Sequence, residues 1–153
     1  MDKKETKQFF ECLGEIWRDI TAIEFLMRCA ITKHDEEESK FPKPSYYKGK
    51  IYKNYPKAFS HYNFETIIQK FTKRFPKIKI PQEIIDFRHA MAHGVIAQIN
   101  NNNTDELIKF KETKNPKELK IEFYLPLELK RLLQIRQSLH EFKSYIIEEI
   151  NNK

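Results

Sequence analysis

The sequence predicts a mainly α-helical protein, a helical bundle carrying a small antiparallel β excursion between its last two long helices. Three observations carry that expectation. Apolar residues recur at three- and four-residue intervals near both ends of the chain: Phe9, Leu13, Ile16, Ile20, Ile23, Met27 and Ala30 form one stripe, and Leu129, Leu132, Leu133, Leu139, Phe142, Ile146 and Ile150 form another. After Gly94 the pattern changes to alternation, the period of a half-exposed strand. The composition, 40% hydrophobic with 12 Phe and 7 Tyr, is too apolar and aromatic for a disordered chain. A chain of 153 residues can close one core without disulfides or metals, so a single domain over residues 1–153 is expected.

The first helix is expected over residues 4–34, with Phe10, Trp17, Leu26 and Ile31 widening its apolar stripe. Unbroken, it would be roughly 45 Å long, which leaves part of that face available to another subunit. The acidic run Asp35-Glu36-Glu37-Glu38-Ser39 ends it, and Pro42, Pro44 and Pro56 then interrupt regular structure across a loop at about 40–62. Asn63 or Thr66 can cap a short helix through Phe64, Ile67, Ile68 and Phe71 that stops at Pro76. Pro81 suits the first turn of the next helix, Glu83 its positive end, and Gly94 its stop, as a residue that accepts the left-handed conformation. Short strands are expected over 95–99, 107–112 and 119–125, joined by turns at Asn100-Asn101-Asn102-Asn103 and Lys114-Asn115-Pro116-Lys117. Pro126 opens the last helix. The β excursion thus occupies about 95–125.

The chain carries a formal charge of +6, which permits an anionic partner without requiring one. Its distribution is more informative. Residues 40–79 hold eleven Lys or Arg and a single acid, Glu65, whereas the remaining residues are net acidic. In the loop, Lys48, Lys50, Lys53 and Lys57 alternate with Tyr46, Tyr47 and Tyr52. Lysines can meet phosphates while aromatic rings stack on bases, the combination used to bind single-stranded RNA. Equally, the rings could pin the loop to the bundle and leave the lysines solvated. The amino-terminal region is broken by Glu11, Glu15, Arg18 and Asp19, so no signal peptide or membrane partner is expected and a cytoplasmic location follows by default. The two cysteines, Cys12 and Cys29, would lie about 25 Å apart on one helix. That separation is too great for a disulfide, and both are expected to pack as small apolar groups.

The chemistry concentrates at Asp86-Phe87-Arg88-His89-Ala90-Met91-Ala92-His93-Gly94. At about 100° per residue, Ile84, Ile85, Phe87, Met91 and Ala92 define an apolar face, and Arg88 falls inside it. A guanidinium placed there needs a carboxylate, carbonyls or a bound anion, so Arg88 is either half of an internal ion pair or aimed at a cleft or partner. His93 lies about 140° further round, in the last turn, where a helix end favours an imidazolium. His89 is one turn before it, with Asp86 placed to orient it. Two histidines at this spacing can chelate a metal, but Ala90 stands where the zincin motif has Glu and no further ligand is evident. No metal or cofactor is expected. Surface decoration or helix capping is the plain alternative for both histidines.

Phe87-Arg88-His89-Ala90-Met91-Ala92-His93-Gly94 resembles the R-[NDH]-x3-H core of the HEPN superfamily (higher eukaryotes and prokaryotes nucleotide-binding), including the alanine before and the glycine after the last histidine. The helical pattern around it is similar to the HEPN bundle; the β excursion directly after the motif departs from it. The resemblance implies a metal-independent endoribonuclease of the toxin or phage-defence type, with its cleft formed where two protomers of a homodimer bring their motifs together. It implies catalytic roles for Arg88 and His93, with His89 in support, and RNA as substrate. An antitoxin or regulatory protein is a further expected partner. The rival expectation is a non-catalytic HEPN-like module that binds nucleic acid or nucleotide and dimerises. A helical bundle with a structural Arg88 and a protein-binding lysine loop is the third.

Overall fold

The computed structural model describes residues 3–40, 51, 53, 55–97, 105–115 and 117–151. Among these residues the protein is mainly helical with one small antiparallel sheet, in the order α1 (Lys3–His34), a 3-10 turn (Glu38–Lys40), α2 (Lys57–Ser60), α3 (Phe64–Arg74), α4 (Gln82–His93), β1 (Val95–Ala97), β2 (Glu106–Glu112), β3 (Leu119–Pro126) and α5 (Leu129–Asn151). No helix among these residues is long and apolar enough to cross a membrane. The chain divides into two compact units, Met1–Ile20 with Ile80–Lys143, and Thr21–Lys79 with Ser144–Lys153.

The first unit holds α4, the sheet, the first part of α1 and most of α5. Its buried side chains follow the periodicities of the sequence: Phe9, Cys12 and Ile16 on α1, Leu132, Ile135, Leu139 and Phe142 on α5, and Leu107 and Ile108 on β2. Strand order is β1-β2-β3. Val95 pairs with Ile108, and Leu107 with Leu125, and a register shift falls between Lys109 and Phe110. Two ion pairs join α1 to α5. Glu15 and Arg136 meet at 2.7 Å with both side chains half-exposed, whereas Asp19 and Lys143 meet at 2.6 Å with the aspartate only 4% exposed. A buried carboxylate without such a partner would be costly.

The second unit is built on the remainder of α1 with α2 and α3. Ile23, Met27, Ile31, Ile67 and Phe71 are buried in it. Asn63 caps α3, its side chain accepting the Thr66 N–H at 2.9 Å. Arg28 binds Glu24 on its own helix at 2.7 Å and donates to the carbonyls of Ala58 and Tyr62, anchoring the α2 segment. Helix α1 closes with a Schellman arrangement: Glu36 N–H donates to Lys33 O and Glu37 N–H to Thr32 O, with Glu36 at φ 55°.

Several expectations are corrected by packing. Phe10 and Trp17 are exposed, and Asp19 takes a buried position beside the α1 stripe. The cysteines, by contrast, pack as expected: Cys12 is buried and Cys29 half-buried, both as free thiols, and burial pushes the pKa of each above its ordinary value. Pro81 is the N-cap of α4 rather than its first turn. Pro126 does not open the last helix but ends β3, paired with Glu106, so α5 begins at Leu129. Proline at the end of an edge strand loses no ladder bond. The short α2 inside the expected loop follows Pro56, whose fixed φ of −55° suits a helix entry.

Candidate active site and basic surfaces

Helix α4 carries the motif, and its orientation is fixed by a narrow buried stripe at Ile84, Phe87 and Ala90. Phe87 meets Phe123 of β3 edge to face with ring centroids 6.4 Å apart, and α4 also packs on β2. At its start, Glu83 is paired with Arg131 of α5. The helix therefore cannot rotate about its axis without opening this packing, and the motif side chains take directions set by the buried stripe.

Arg88 and His89 are half-buried, and His93 is exposed. Arg88 and His89 both engage neighbouring groups. The expected apolar face is narrower than the wheel suggested: Ile85 and Met91 are half-buried and Ala92 is exposed. Arg88 consequently stands at the margin of the buried stripe rather than within it. The rings of His89 and His93 lie side by side one turn apart, with centroids 6.4 Å apart and planes inclined at 30°. Asp86, expected to orient His89, accepts a hydrogen bond from the Gln82 amide at 2.8 Å. Among the described residues, no three His, Cys, Asp or Glu side chains gather where they could hold a metal ion.

Gly94 ends α4, but not in the left-handed conformation. Its φ of −89° and ψ of 179° are extended, and its N–H donates to Ala90 O at 2.6 Å. Glycine is needed there for space. A Cβ would lie 2.7 Å from the carbonyl oxygen of Ile108 and closer still to that of Ala90. The absence of a side chain lets the chain leave the motif helix and enter β1 directly against β2.

The expected RNA-binding set divides. Tyr46, Tyr47, Lys48, Lys50 and Tyr52 lie outside the described residues. Lys53 and Lys57 are exposed, and the Lys57 backbone N–H donates to the Glu37 carboxylate at 2.9 Å. That bond and the neighbouring Lys40 ammonium hold the Glu37 carboxyl below its ordinary range, the lysine contact having the larger effect. Further along the segment the rings are structural: Phe59 meets Phe25 and Tyr55 edge to face at 5.7 and 6.2 Å. Sequence reasoning left Asp35 and Arg74 unremarked as a pair. They form two bonds of 2.6 Å from Arg74 Nε and Nη2 to the two carboxylate oxygens, and these bonds hold the Asp35 carboxyl below its ordinary range. The signal was present as an acid just past one helix and an arginine in the last turn of another, but only the fold brings them together.

The described residues thus define a mainly helical protein with a three-stranded antiparallel sheet, carrying an arginine–histidine motif at the end of one helix. Comparison of the chain with protein-family models, with curated proteins and with solved structures finds no match in any of the three.

Proposed function

We propose that the protein is a metal-independent endoribonuclease of the HEPN type, acting as a homodimer in the manner of a toxin or phage-defence nuclease. The observation that carries this reading is the grading of exposure along α4: Arg88 and His89 half-buried, His93 exposed, with the two imidazoles adjacent. A guanidinium held at the margin of a core and an imidazole open to solvent suit the two tasks of RNA cleavage by an internal nucleophile. His93 removes the proton from the 2′-hydroxyl, whose oxygen then attacks the adjacent phosphorus. The bond from phosphorus to the 5′-oxygen breaks and that oxygen takes up a proton, giving a cyclic phosphate and a 5′-hydroxyl. Arg88 holds the phosphate and neutralises charge building on its oxygens, while His89 supplies a supporting polar contact. Since Arg88 and His93 point about 140° apart around one helix, a site in which one protomer's arginine meets the other's histidine resolves the geometry. An antitoxin or regulatory protein covering the site is part of the same reading.

The alternative is a non-catalytic HEPN-like module that binds nucleic acid or nucleotide and dimerises. It is favoured by the engagement of Arg88 with its surroundings. Incubating the purified protein with mixed RNA in EDTA, beside Arg88→Ala and His93→Ala, separates the two readings. The nuclease reading expects cyclic-phosphate ends from the parent protein alone. Equal cleavage by all three proteins would refute the site, and intact RNA with retained binding would establish the module.

A further inference from the structure

The basic character of residues 40–79 is not confined to the loop. Within the second unit, the last turns of α1 and α3 enclose an open pocket of about 300 Å³ lined by His34, Asp35, Lys70, Lys73 and Arg74. Three permanent cations face one carboxylate, with an imidazole beside them. Cations often collect at helix C-termini to answer free carbonyls, and Arg74 does so here, but backbone N–H groups already answer several of the others. At the end of α1 the carbonyls of Ile31, Thr32 and Lys33 accept from the N–H groups of Asp35, Glu37 and Glu36. At the end of α3, Phe71 O accepts from Phe75 N–H and Lys70 O from Arg74 Nη1.

The Arg74–Asp35 pair acts as a frame. Its bonds, with the one to Lys70 O, use three of the five guanidinium N–H groups, so two donors remain for a further acceptor. Lys70 is half-buried, its ammonium 5.8 Å from the centre of the Tyr62 ring, and Lys73 is exposed. His34 Nδ1 lies 3.2 Å from Asp35 Oδ1, which directs the other ring nitrogen elsewhere. The side chains of Lys70, Lys73, Arg74 and His34 therefore line, together with the Asp35 carboxylate, a space larger than a phosphate.

We propose that this pocket binds a phosphate group, supplied either by a nucleic-acid backbone or by a small phosphorylated ligand. Three positively charged side chains are the recognition chemistry a phosphate requires. The site does not depend on cleavage at α4, and its test reads binding alone.

The test compares Lys70→Gln/Lys73→Gln with Lys117→Gln/Lys120→Gln, which removes the same charge from exposed hairpin positions in the other unit. Both are made on a His93→Ala background so that RNA is not consumed. Binding of a single-stranded RNA is measured by fluorescence anisotropy across a salt series. Inorganic phosphate is titrated separately, with the His34 imidazole followed by NMR. For a backbone ligand, the first variant loses about tenfold in RNA affinity, and its salt slope falls by roughly 1.4, at about 0.7 per phosphate contact on a single strand. The hairpin variant stays within about twofold of the parent. For a small phosphorylated ligand, inorganic phosphate shifts His34 in the parent and not in the first variant, and RNA binding is unchanged. If the two variants bind RNA alike and inorganic phosphate leaves His34 unmoved, the pocket is not a phosphate site.

Discussion

Glycine to alanine is one chemical change, and at two positions in the first unit it should have opposite effects. Gly14 lies in the interior of α1, and beyond the adjoining backbone of its own helix no atom lies within 4 Å of where a Cβ would stand. Alanine there restricts the unfolded chain and suits the helix, raising stability by about 0.5–1 kcal/mol. At Gly94 the new Cβ would lie 2.7 Å from Ile108 O and nearer to Ala90 O. Both obstacles are backbone atoms, so no side chain can swing aside. Relief requires β1 or β2 to move off the end of α4, with loss of the 2.6 Å bond from Gly94 N–H to Ala90 O. Overpacking of this kind costs about 1–3 kcal/mol, and the extended φ of −89° adds no conformational penalty of its own. The two variants should therefore differ by about 1.5–4 kcal/mol. Urea unfolding followed by circular dichroism reads the difference directly, and melting temperatures should separate by about 2–4 °C per kcal/mol. Equal stability of Gly94→Ala and the parent would mean that the chain does not pass this closely between α4 and β2, and the account of how the motif helix ends would fall.

Other perturbations test the ion pairs and the helix end. Lys143→Met removes the 2.6 Å partner of the buried Asp19 and leaves it the exposed Arg18 at 3.6 Å and the more distant charge of Arg136, so it should cost about 3 kcal/mol in urea unfolding, whereas Arg136→Met opens the half-exposed pair with Glu15 and should cost under about 1 kcal/mol. Similar losses for the two would contradict the burial of Asp19. Glu36→Gly removes a side chain from a residue at φ 55° and should stabilise the protein by about 0.5–1 kcal/mol in the same assay; a loss would show that the Glu36 side chain holds the turn. Because Arg74 depresses the Asp35 carboxyl, this pair contributes stability that is fully present above the ordinary carboxylate range and is lost as pH falls through the lowered value. Asp35→Asn should therefore flatten the acid limb of a stability–pH curve while lowering stability at neutral pH, and an unchanged limb would count against the pair.

Much of the fold could be read from residue order alone, because helix and strand periodicities follow from which side chains must leave water. The stripes of α1 and α5, the Asn63 cap, the change of period after Gly94 and the placement of Arg88, His89 and His93 on one helix all follow from spacing between neighbours in the chain. What the tertiary structure decided are meetings between residues far apart in sequence: Asp19 with Lys143, Asp35 with Arg74, Phe87 with Phe123, and Gly94 with the carbonyl of Ile108. A helical wheel gives directions around an axis but not what stands opposite. It therefore put Arg88 and Ala92 on the apolar face, where the packing of β2 and β3 selects only Ile84, Phe87 and Ala90 for burial. Local periodicity fixes which faces are apolar, and the long-range contacts that cover them determine which charges are buried and which remain exposed.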